Sequence, residues 1–444
     1  MMKPLLLRAR GERNSRSLTT YLRFGGYGAV KKALIMDARD VIKEIKASGL
    51  RGRSGAGVPT GLKWGCVPKA SGKPKYLICN ADESEPGTFK DREIIRVDPH
   101  LLLEGMIIAA YAIDAHKAYI YIRGEFFHEA QMLEHAIGEA YRKKYLGKNI
   151  LRTGFDLDIY VHRGAGAQIC SEETALIESI EGRRGQPRLK PPFPAMAGLF
   201  GCPTIVNNVE TLACLPHILE NGADWFASIG TQESTGTKLF SVSGHVESPG
   251  VYEVPLGTTF REIIEDHCGG IPNGRELKAF IPGGSSAPVL TAAEIDTPAC
   301  FDAVAKAGST LGSGGLIVMD ETVDMVWVLE NLLEFYAHES CGQCTPCREG
   351  SAWALNILRR IRCNQGCPED LETLCRIADF ACRGMTICPL GDAFCEPIRS
   401  FLDRFGGEFR AAVTSGNPPR VVKAPILPTR RDQSMFAKPG TESC

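Results

Sequence analysis

The run RGRSGAGVPTGLKW constrains the fold of this chain more than any other stretch. Its glycines, which permit positive φ and close approach of a ligand, are Gly52, Gly55, Gly57 and Gly61. Free N–H groups in such a turn form an anion-binding nest, and Arg51, Arg53 and Lys63 add positive charge. The run matches neither the G-x-x-x-x-G-K-[ST] loop nor the G-x-G-x-x-G fingerprint. It predicts a loop that cradles phosphate, with an ordinary flexible surface loop as the alternative.

Polar side chains follow a short apolar segment downstream, Tyr76–Cys79, whose composition predicts a buried strand. These side chains are Asn80, Asp82, Glu83 and Glu85. Ligands of open α/β sheets bind at the carboxyl ends of strands. The pattern therefore predicts a polar ligand site at this strand end, with a solvated acidic turn as the alternative.

Strands and helices alternate over the first half of the chain, which predicts an α/β sheet with helices on both faces. Further predicted strands are Ala118–Ile122 and Leu157–Val161. Predicted helices are Tyr27–Leu34, Ala38–Ser48, Leu101–Ile113 and Phe126–Tyr145. The apolar stretch Leu101–Ile113 is too short to span a bilayer.

A second glycine turn lies within Arg163–Gly182 and leads into a helix. Ser171 is the expected N-cap, and Glu172 and Glu173 would fall in the first turn, where the helix dipole favours carboxylates. One alternative is that both acids cap the helix and have no further role. The glycine-rich turn immediately before them favours a phosphate or flavin site.

Two further signals follow this helix. The cationic, proline-rich segment Arg183–Pro194 predicts a fixed loop without regular structure. Asn207–Glu210 has the N-x-x-E pattern of a capping box, which would open a helix over Val209–Glu220.

The chain changes character near Gly222. Short strands at Lys238–Val246, Val251–Leu256 and Leu277–Ile281, with one helix at Phe260–His267, predict a small β-rich interaction module without a polar site. The next helices, whose short connections predict a bundle, are Val323–His338, Gly350–Arg362, Pro368–Ala381 and Asp392–Phe405. The tail from Ala411 is rich in Pro, Arg and Ser and is expected to be disordered.

The cysteine content and the net charge indicate the cellular compartment and the classes of partner. Seventeen cysteines in 444 residues, many of them single within apolar runs, indicate a reducing compartment and some metal binding. A net charge of −1 gives no sign of nucleic-acid or membrane binding. The basic first residues lack a plausible cleavage site, which argues against a secretory signal and leaves a short organellar presequence open. We therefore expect an intracellular protein without direct membrane insertion.

The segment ESCGQCTPCREG carries the strongest metal signal, with Cys341, Cys344 and Cys347 spaced C-x2-C-x2-C. Such runs hold iron–sulfur clusters when a fourth, remote cysteine completes the site. Cys388, which precedes a proline, is the preferred fourth ligand. The competing cysteines are Cys363, Cys367, Cys375, Cys382 and Cys395. Zinc is the main alternative, although its sites usually come as separated C-x2-C pairs.

The glycine loop, the acidic strand end, SEETAL, RLKPPFP, NNVET and CGQCTPC occur in this order. Together they resemble the NADH-binding flavoprotein subunit of respiratory complex I, of the bacterial F-subunit type, from about Tyr21 to about Phe405. The resemblance implies NAD(H) as substrate, non-covalent FMN, one 4Fe–4S cluster and electrons passing towards quinone. It also implies a Rossmann-like FMN domain (51–237), a ubiquitin-like β-grasp module (238–320) and a cluster-bearing helical bundle (321–410). Residues 1–50 would be a lead-in with helices, and 411–444 a tail.

The site residues are carried over from the same resemblance. FMN would contact Gly52, Arg53, Ser54, Lys63, Asn80, Asp82, Glu83, Glu172, Asn207, Asn208 and Thr211. NADH would lie against Gly55, Gly57, Glu85, Glu173, Lys190 and Phe193. The cluster ligands would be Cys341, Cys344, Cys347 and Cys388. The flavin carries the hydride chemistry, so no side chain need act as a catalytic acid or base, and Glu85 and Glu173 would orient NADH.

The sequence departs from the family pattern at several positions. The family usually has glycine where Ser54 and Ser171 stand, and phenylalanine where Val58 and Cys66 stand. We expect FMN binding to survive these changes. The dinucleotide pocket, however, has lost two aromatic contacts, so weaker NADH binding is expected.

The implied partners are other peripheral-arm subunits, notably a 2Fe–2S thioredoxin-like subunit. The implied location is the cytoplasmic side of the bacterial inner membrane, or the mitochondrial matrix if the protein is organellar. A diaphorase subunit of an NAD-linked hydrogenase or formate dehydrogenase is the close alternative. Such subunits often carry an additional thioredoxin-like or ferredoxin segment, for which this chain has no room. A non-enzymatic zinc-binding assembly protein is the distant alternative.

Overall fold

The computed structural model describes residues 3–68, 72–382 and 384–414. It shows a mixed α/β fold with a parallel sheet, a second, mixed sheet and a helical C-terminal region, which confirms the expected α/β class. None of the helices in these ranges combines the length and apolar character that a membrane crossing requires. The last helix runs to Thr414, so the expected tail from 411 overlaps it, and residues 415–444 lie outside the described ranges.

The first sheet has four parallel strands in the order β3-β2-β1-β4. The strands are β1 (Tyr76–Ala81), β2 (Lys117–Ile122), β3 (Asp158–Arg163) and β4 (Thr204–Asn208). Because all four run in one direction, their carboxyl ends meet at a single edge, where Asp82 follows β1 and Asn208 ends β4.

Helices cover both faces of this sheet, as expected. Leu77 and Cys79 of β1 pack into one hydrophobic core, while Ile78 between them packs into another. The helices of this half are α1 (Leu18–Arg23), α2 (Gly28–Ala33), α3 (Ala38–Ala47), α4 (Thr60–Gly65), α5 (Asp91–Val97), α6 (Pro99–Ile113), α7 (Phe127–Arg142), α8 (Glu173–Ile180), α9 (Pro194–Ala197), α10 (Val209–Asn221) and α11 (Ala223–Ala227).

The second sheet has five strands in the order β6-β5-β9-β7-β8. They are β5 (Thr237–Gly244), β6 (Gly250–Pro255), β7 (Leu277–Ile281), β8 (Leu290–Thr291) and β9 (Gly315–Asp320). β5 and β9 are parallel, and the other pairs are antiparallel. A helical turn at Glu262–His267 and helix α12 (Phe301–Lys306) pack on this sheet around a third core.

In the part of the chain that the structure describes, four helices follow the second sheet: α13 (Met325–Glu339), α14 (Thr345–Arg362), α15 (Pro368–Ala381) and α16 (Leu390–Thr414). α14 begins before the expected Gly350, because Pro346 lies at its start, where the fixed φ of proline suits the first turn. α16 passes the expected end at Phe405, where the backbone kinks.

The expected capping box of α10 is wrong. Asn208, not Asn207, is the N-cap, and its Oδ1 accepts the N–H of Glu210 at 3.0 Å. The Glu210 carboxylate does not turn back to the cap. Its Oε1 accepts the N–H of Leu239 from β5 at 2.8 Å, so Glu210 joins the two sheets instead.

We predict that Gly105→Ala destabilises the α/β half, because α6 crosses α10 at van der Waals contact. A Cβ at Gly105 would lie 2.0 Å from the carbonyl oxygen of Leu212, and relieving such a clash costs roughly 1–3 kcal/mol. Urea unfolding measures the loss. Gly138→Ala in α7 is the control, since its added methyl meets only the end of the Arg142 side chain at 3.5 Å. Equal unfolding midpoints for the two variants would contradict the close crossing.

Candidate functional site

A cavity of about 130 Å³ opens at the carboxyl edge of the parallel sheet. The residues predicted for FMN that line it are Ser54, Asn80, Asp82, Glu83 and Asn208, and Glu85, predicted for NADH, lines it as well. The glycine loop, the end of β1 and the end of β4 therefore meet in one place. Lys90, Gln168 and Ser313 also line the cavity. No motif in the sequence marks these three residues.

A second cavity, of about 220 Å³, adjoins the first and shares Glu85, Gln168 and Ser171 with it. Its far wall includes Cys388 and Leu390. Taken together, the two cavities reach the lower end of the range of about 300–1,000 Å³ that small-molecule sites occupy. The space at the sheet edge thus extends to one of the predicted cluster ligands.

The glycine loop is closed by its own backbone. The N–H of Gly52 donates to the Val58 carbonyl at 2.9 Å, and Arg51 Nε donates to the Gly57 carbonyl at 2.9 Å. Gly57 has φ +61°, and a Cβ there would lie 2.8 Å from the ring of Phe301. The Arg51 guanidinium carbon lies 4.2 Å from the centroid of that ring, so α12 packs against the loop.

None of the three cationic side chains beside the glycine loop lines this cavity, and each binds another group of the protein. Arg51 binds within the loop, and the buried Arg53 guanidinium donates to the Thr235 carbonyl at 2.7 Å. Lys63 Nζ donates to Glu173 at 2.8 Å and to the Val206 carbonyl at 3.0 Å. All three cations therefore hold the frame of the loop.

Lys90 is the cation that does line the cavity. It is fully buried, and its Nζ lies 2.7 Å from Asp91 Oδ1 and 2.8 Å from Glu210 Oε2. Burial alone would lower the pKa of Lys90, but the charges of these two carboxylates outweigh it and hold the pKa above its ordinary value. The ammonium group therefore stays charged at the floor of the cavity.

The acidic strand end is buried rather than solvated. Burial, against the opposing charge of Arg123, raises the pKa of Asp82 to about 7. Burial and the neighbouring Asp91 charge raise the pKa of Glu83 to about 7. Burial also raises the pKa of Glu85, whose Oε1 accepts the N–H of Ser286 at 3.0 Å. The alternative of a solvated acidic turn is therefore wrong.

Three further residues predicted for FMN hold the glycine-loop side of the cavity. Asn207 Oδ1 accepts the indole N–H of Trp64 at 2.9 Å, which fixes α4 against β4. Thr211 Oγ1 accepts the backbone N–H of Arg53 at 2.9 Å, which fixes the loop itself. Lys63 joins this side to α8 through Glu173.

The paired glutamates of α8 differ in role. Glu172, not the expected Ser171, is the N-cap, because its Oε2 accepts the N–H groups of Thr174 at 2.8 Å and Ala175 at 3.0 Å. Its other oxygen accepts from Lys190 Nζ at 2.8 Å. One carboxylate thus both caps α8 and anchors the proline-rich loop that carries Lys190.

Glu173 lies between two ammonium groups, 2.8 Å from that of Lys63 and 3.1 Å from that of Lys190. Burial alone would raise the pKa of Glu173, but these charges outweigh it and hold the pKa below its ordinary value. Phe193, three residues after Lys190, has 57% of its surface exposed. Phe193, one of the residues predicted for NADH, therefore lies on an accessible side of the site.

The cysteines predicted as cluster ligands come from two segments. Cys341 and Cys344 lie in the loop between α13 and α14, Cys347 is buried in the first turn of α14, and Cys388 precedes α16. Burial, with the added charges of Cys341 and Cys347, raises the pKa of Cys388 to about 12. Within the described ranges, no three Cys, His, Asp or Glu side chains stand close enough as they are for one metal ion.

The competing cysteines divide by burial. Cys363, Cys367 and Cys375 are exposed, whereas Cys382 and Cys395 are buried in the same core as Cys347. Of the residues named as candidates for the fourth ligand, Cys388 is the one that lines the second cavity.

Family comparisons identify three segments of the chain. Residues 45–217 match the model of the Nuo51 FMN-binding domain, and residues 327–412 match that of the NADH-ubiquinone oxidoreductase-F iron-sulfur binding region. Residues 239–290 match the SLBB domain model.

Named relatives are similar over most of their length. The chain is 52% identical to the second NADH-quinone oxidoreductase F subunit of Rhizobium meliloti (strain 1021), over 93% of this chain and 98% of that protein. It is 50% identical to the NADH-quinone oxidoreductase F subunit of Mycobacterium tuberculosis (strain H37Rv), over 94% and 95% respectively.

Among solved structures, an NAD+-reducing [NiFe]-hydrogenase in the H2-reduced state has 36% identity and a TM-score of 0.80, covering 89% of this chain. The air-oxidized form of such a hydrogenase has 34% identity and the same TM-score. This chain spans 66% and 68% of those two hydrogenase chains, about two thirds of their length.

We predict that Asp82→Asn changes the pH dependence of stability of the cofactor-free chain. The folded-state pKa of Asp82 lies above its unfolded value, so its stabilising contribution is present at low pH and is lost as pH rises through about 7. Between pH 6 and 8, wild type should lose roughly 1 kcal/mol more than Asp82→Asn in urea unfolding. The exposed Asp156, whose pKa is lowered, gives the control Asp156→Asn, which should follow wild type. Parallel profiles for wild type and Asp82→Asn would contradict the assignment.

Proposed function

The chain belongs to the family of NADH-quinone oxidoreductase F subunits, and from this we propose that the two adjoining cavities form its FMN site and face its cluster. It is an FMN-dependent NADH dehydrogenase subunit with a 4Fe–4S cluster, and it works together with other subunits of complex I. Bound FMN supplies hydride acceptance from NADH and passes the electrons on singly to the iron–sulfur centre.

The donor set of the first cavity fits FMN. Side-chain amides from Asn80 and Asn208 and hydroxyls from Ser54 and Ser313 suit the polar edge of a flavin, and the Lys90 ammonium suits a phosphate. We assign FMN to these groups, together with Asp82, Glu83 and the backbone of the loop 52–54. Arg53, Lys63, Asn207 and Thr211 would support that surface from behind through the contacts described above, and Glu172 would do so through Lys190.

NADH would approach from the accessible side, over Gly55 and Gly57 of the loop. The alternating charges of Lys63, Glu173 and Lys190 hold one another at 2.8 and 3.1 Å, which orients them before a ligand arrives. Such preorganisation lowers the cost of positioning a dinucleotide. Glu85 lies deeper, in the wall shared by the two cavities, where we propose that it orients the nicotinamide end of NADH.

A single observation carries the electron-transfer part of the proposal: Glu85 and Cys388 both line the second cavity. Cys341, Cys344, Cys347 and Cys388 offer four thiols around one core, which suits a 4Fe–4S cluster. The cluster would therefore be the nearest acceptor for electrons that leave the flavin cavity.

The zinc alternative is overturned by the iron–sulfur match over residues 327–412. The diaphorase alternative keeps the support of the two hydrogenase structures at 36% and 34% identity. NADH-quinone oxidoreductase F subunits at 50–52% identity, matched nearly end to end, favour complex I.

The domain boundaries, the neighbouring subunit and the location are also proposals. We infer that residues 51–237 form the FMN domain, that 238–320 form the β-grasp module, which the SLBB match over 239–290 supports, and that 321–410 form the cluster bundle. A 2Fe–2S thioredoxin-like subunit is the proposed neighbour in the peripheral arm. The proposed location is the cytoplasmic side of the bacterial inner membrane, or the matrix in an organelle.

We predict that Cys388→Ser abolishes or alters the paramagnetic signal of the reduced cluster, because the variant removes one of four thiolate ligands. Flavin absorbance and NADH oxidation with two-electron acceptors should largely persist, since the first cavity is unchanged. Electron paramagnetic resonance of the NADH-reduced chain measures the signal. Cys375→Ser, at an exposed position of α15, is the control. A wild-type signal in Cys388→Ser would move the fourth ligand to Cys382 or Cys395.

We predict that Val58→Phe, alone or with Cys66→Phe, tightens NADH binding without changing flavin content. Val58 is 50% exposed and Cys66 is exposed, so an added ring has space at either position. An aromatic contact of this kind contributes roughly 0.5–1.5 kcal/mol. NADH titration of wild type and both variants measures the gain, with Ile35→Phe as an exposed control distant in sequence. Weaker binding in both variants would show that the pocket is shaped for the smaller residues.

A further inference from the structure

A buried lysine joins the second sheet to the glycine loop, and burial lowers its pKa to about 7. Lys238 of β5 is fully buried, and its Nζ donates to the carbonyl oxygens of Arg53 at 3.1 Å and Ser313 at 2.9 Å. The first carbonyl belongs to the glycine loop, and the second belongs to the turn 312–314 before β9. Lys238 therefore connects the glycine loop of the α/β half to a turn of the second sheet.

Both connected segments end in the FMN cavity. Ser54, directly after Arg53, lines the cavity, and so does Ser313 itself. We propose that Lys238 is a positioning residue for FMN: it clamps the glycine loop to the turn 312–314 and so sets the width of the cavity between Ser54 and Ser313. The inference rests on the proposed FMN site.

Glycines in the turn 312–314 leave room for the Lys238 side chain. Gly314 has φ +82°, and a Cβ there would lie 2.8 Å from Lys238 Cε. A Cβ at Gly312 would lie 2.0 Å from the Gly283 carbonyl oxygen. The turn 312–314 therefore needs glycine at both ends, one to admit the lysine and one to pack against the neighbouring turn.

Glu210 is the counter-ion of both Lys238 and Lys90, the lysine that lines the cavity. Glu210 Oε2 lies 3.6 Å from Lys238 Nζ and 2.8 Å from Lys90 Nζ. Oε1 of the same carboxylate accepts the N–H of Leu239, next to Lys238. A change at Lys238 should therefore disturb both the loops and the cation that line the cavity.

The test compares two lysine-to-methionine variants of the full chain. Lys238→Met removes the clamp. Lys278→Met is the matched control, because Lys278 also lies in the second sheet and binds the Val323 carbonyl at 2.6 Å and Glu408 at 2.7 Å, outside the cavity. The Kd for FMN, from quenching of flavin fluorescence, and the rate of FMN release on dilution are measured together with thermal unfolding.

We expect Lys238→Met to weaken FMN binding by about tenfold or more, equivalent to about 1.4 kcal/mol, and to release FMN faster. Lys278→Met should bind FMN as wild type does, even where its unfolding midpoint falls. Wild-type affinity in Lys238→Met, or an equal loss in both variants, would overturn the clamp. Wild type that binds no FMN would instead overturn the proposed cavity.

A second variant covers the case in which Lys238→Met does not fold. Glu210→Gln keeps the shape of the side chain and its contact with the Leu239 N–H but removes the charge that holds Lys238 and Lys90. Weaker binding of both FMN and riboflavin, which lacks the phosphate assigned to Lys90, supports the clamp when the unfolding midpoint is unchanged, whereas a loss confined to FMN overturns it. Unchanged FMN binding in Glu210→Gln overturns it.

Discussion

One buried carboxylate, that of Glu210, holds the centre of this structure in place. Removing such a charge from water costs several kcal/mol unless partners compensate for it. Burial alone would raise the pKa of Glu210, but Lys238, Lys90 and then Arg53 outweigh it and keep the pKa below its ordinary value. The cations belong to β5, the segment after β1 and the glycine loop. Because the charge can stay buried only while its partners are present, these segments are fixed relative to one another.

The same cluster explains how a cavity lined with acids can bind an anion. Arg53 and Lys90 are cationic side chains beside Glu210 and Asp91, and burial lowers the pKa of Lys238 to about 7, so the buried cluster does not present a net negative charge to the cavity. Asp82 and Glu83, each with a pKa of about 7, are only about half ionised near neutral pH. A phosphate at Lys90 therefore meets less repulsion than the sequence alone suggests.

Sequence reasoning found the local elements and the family, because periodicity and motif order are encoded locally. The strand Tyr76–Ala81, the buried helix Pro99–Ile113 and the polar strand end all follow from such patterns. A pattern does not show where a side chain points, however, so the contacts of Arg53 with Thr235 and of Lys63 with Glu173 follow only from the structure. Lys90 was missed for a related reason: its role comes from Glu210, which is distant in sequence.

The second sheet is the clearest case of a role that only the three-dimensional arrangement shows. The pattern of its strands predicts an interaction module without a polar site. Its turns, however, supply Ser313 to the first cavity and Ser286 to the second. Ser286 holds Glu85, and the adjacent Ser285 hydroxyl lies 2.7 Å from the hydroxyl of Tyr336 on α13.

α13 leads directly to the cysteine loop that begins at Cys341. The wall between the flavin cavity and the cluster region is thus assembled from all three parts of the chain. A Cβ at Gly284 would lie 2.6 Å from the Glu85 carboxyl carbon, so this turn is packed directly against the acid. In the proposed site, a shift of the second sheet would therefore move Glu85 relative to both the FMN cavity and Cys388, so this turn would set the geometry at both places.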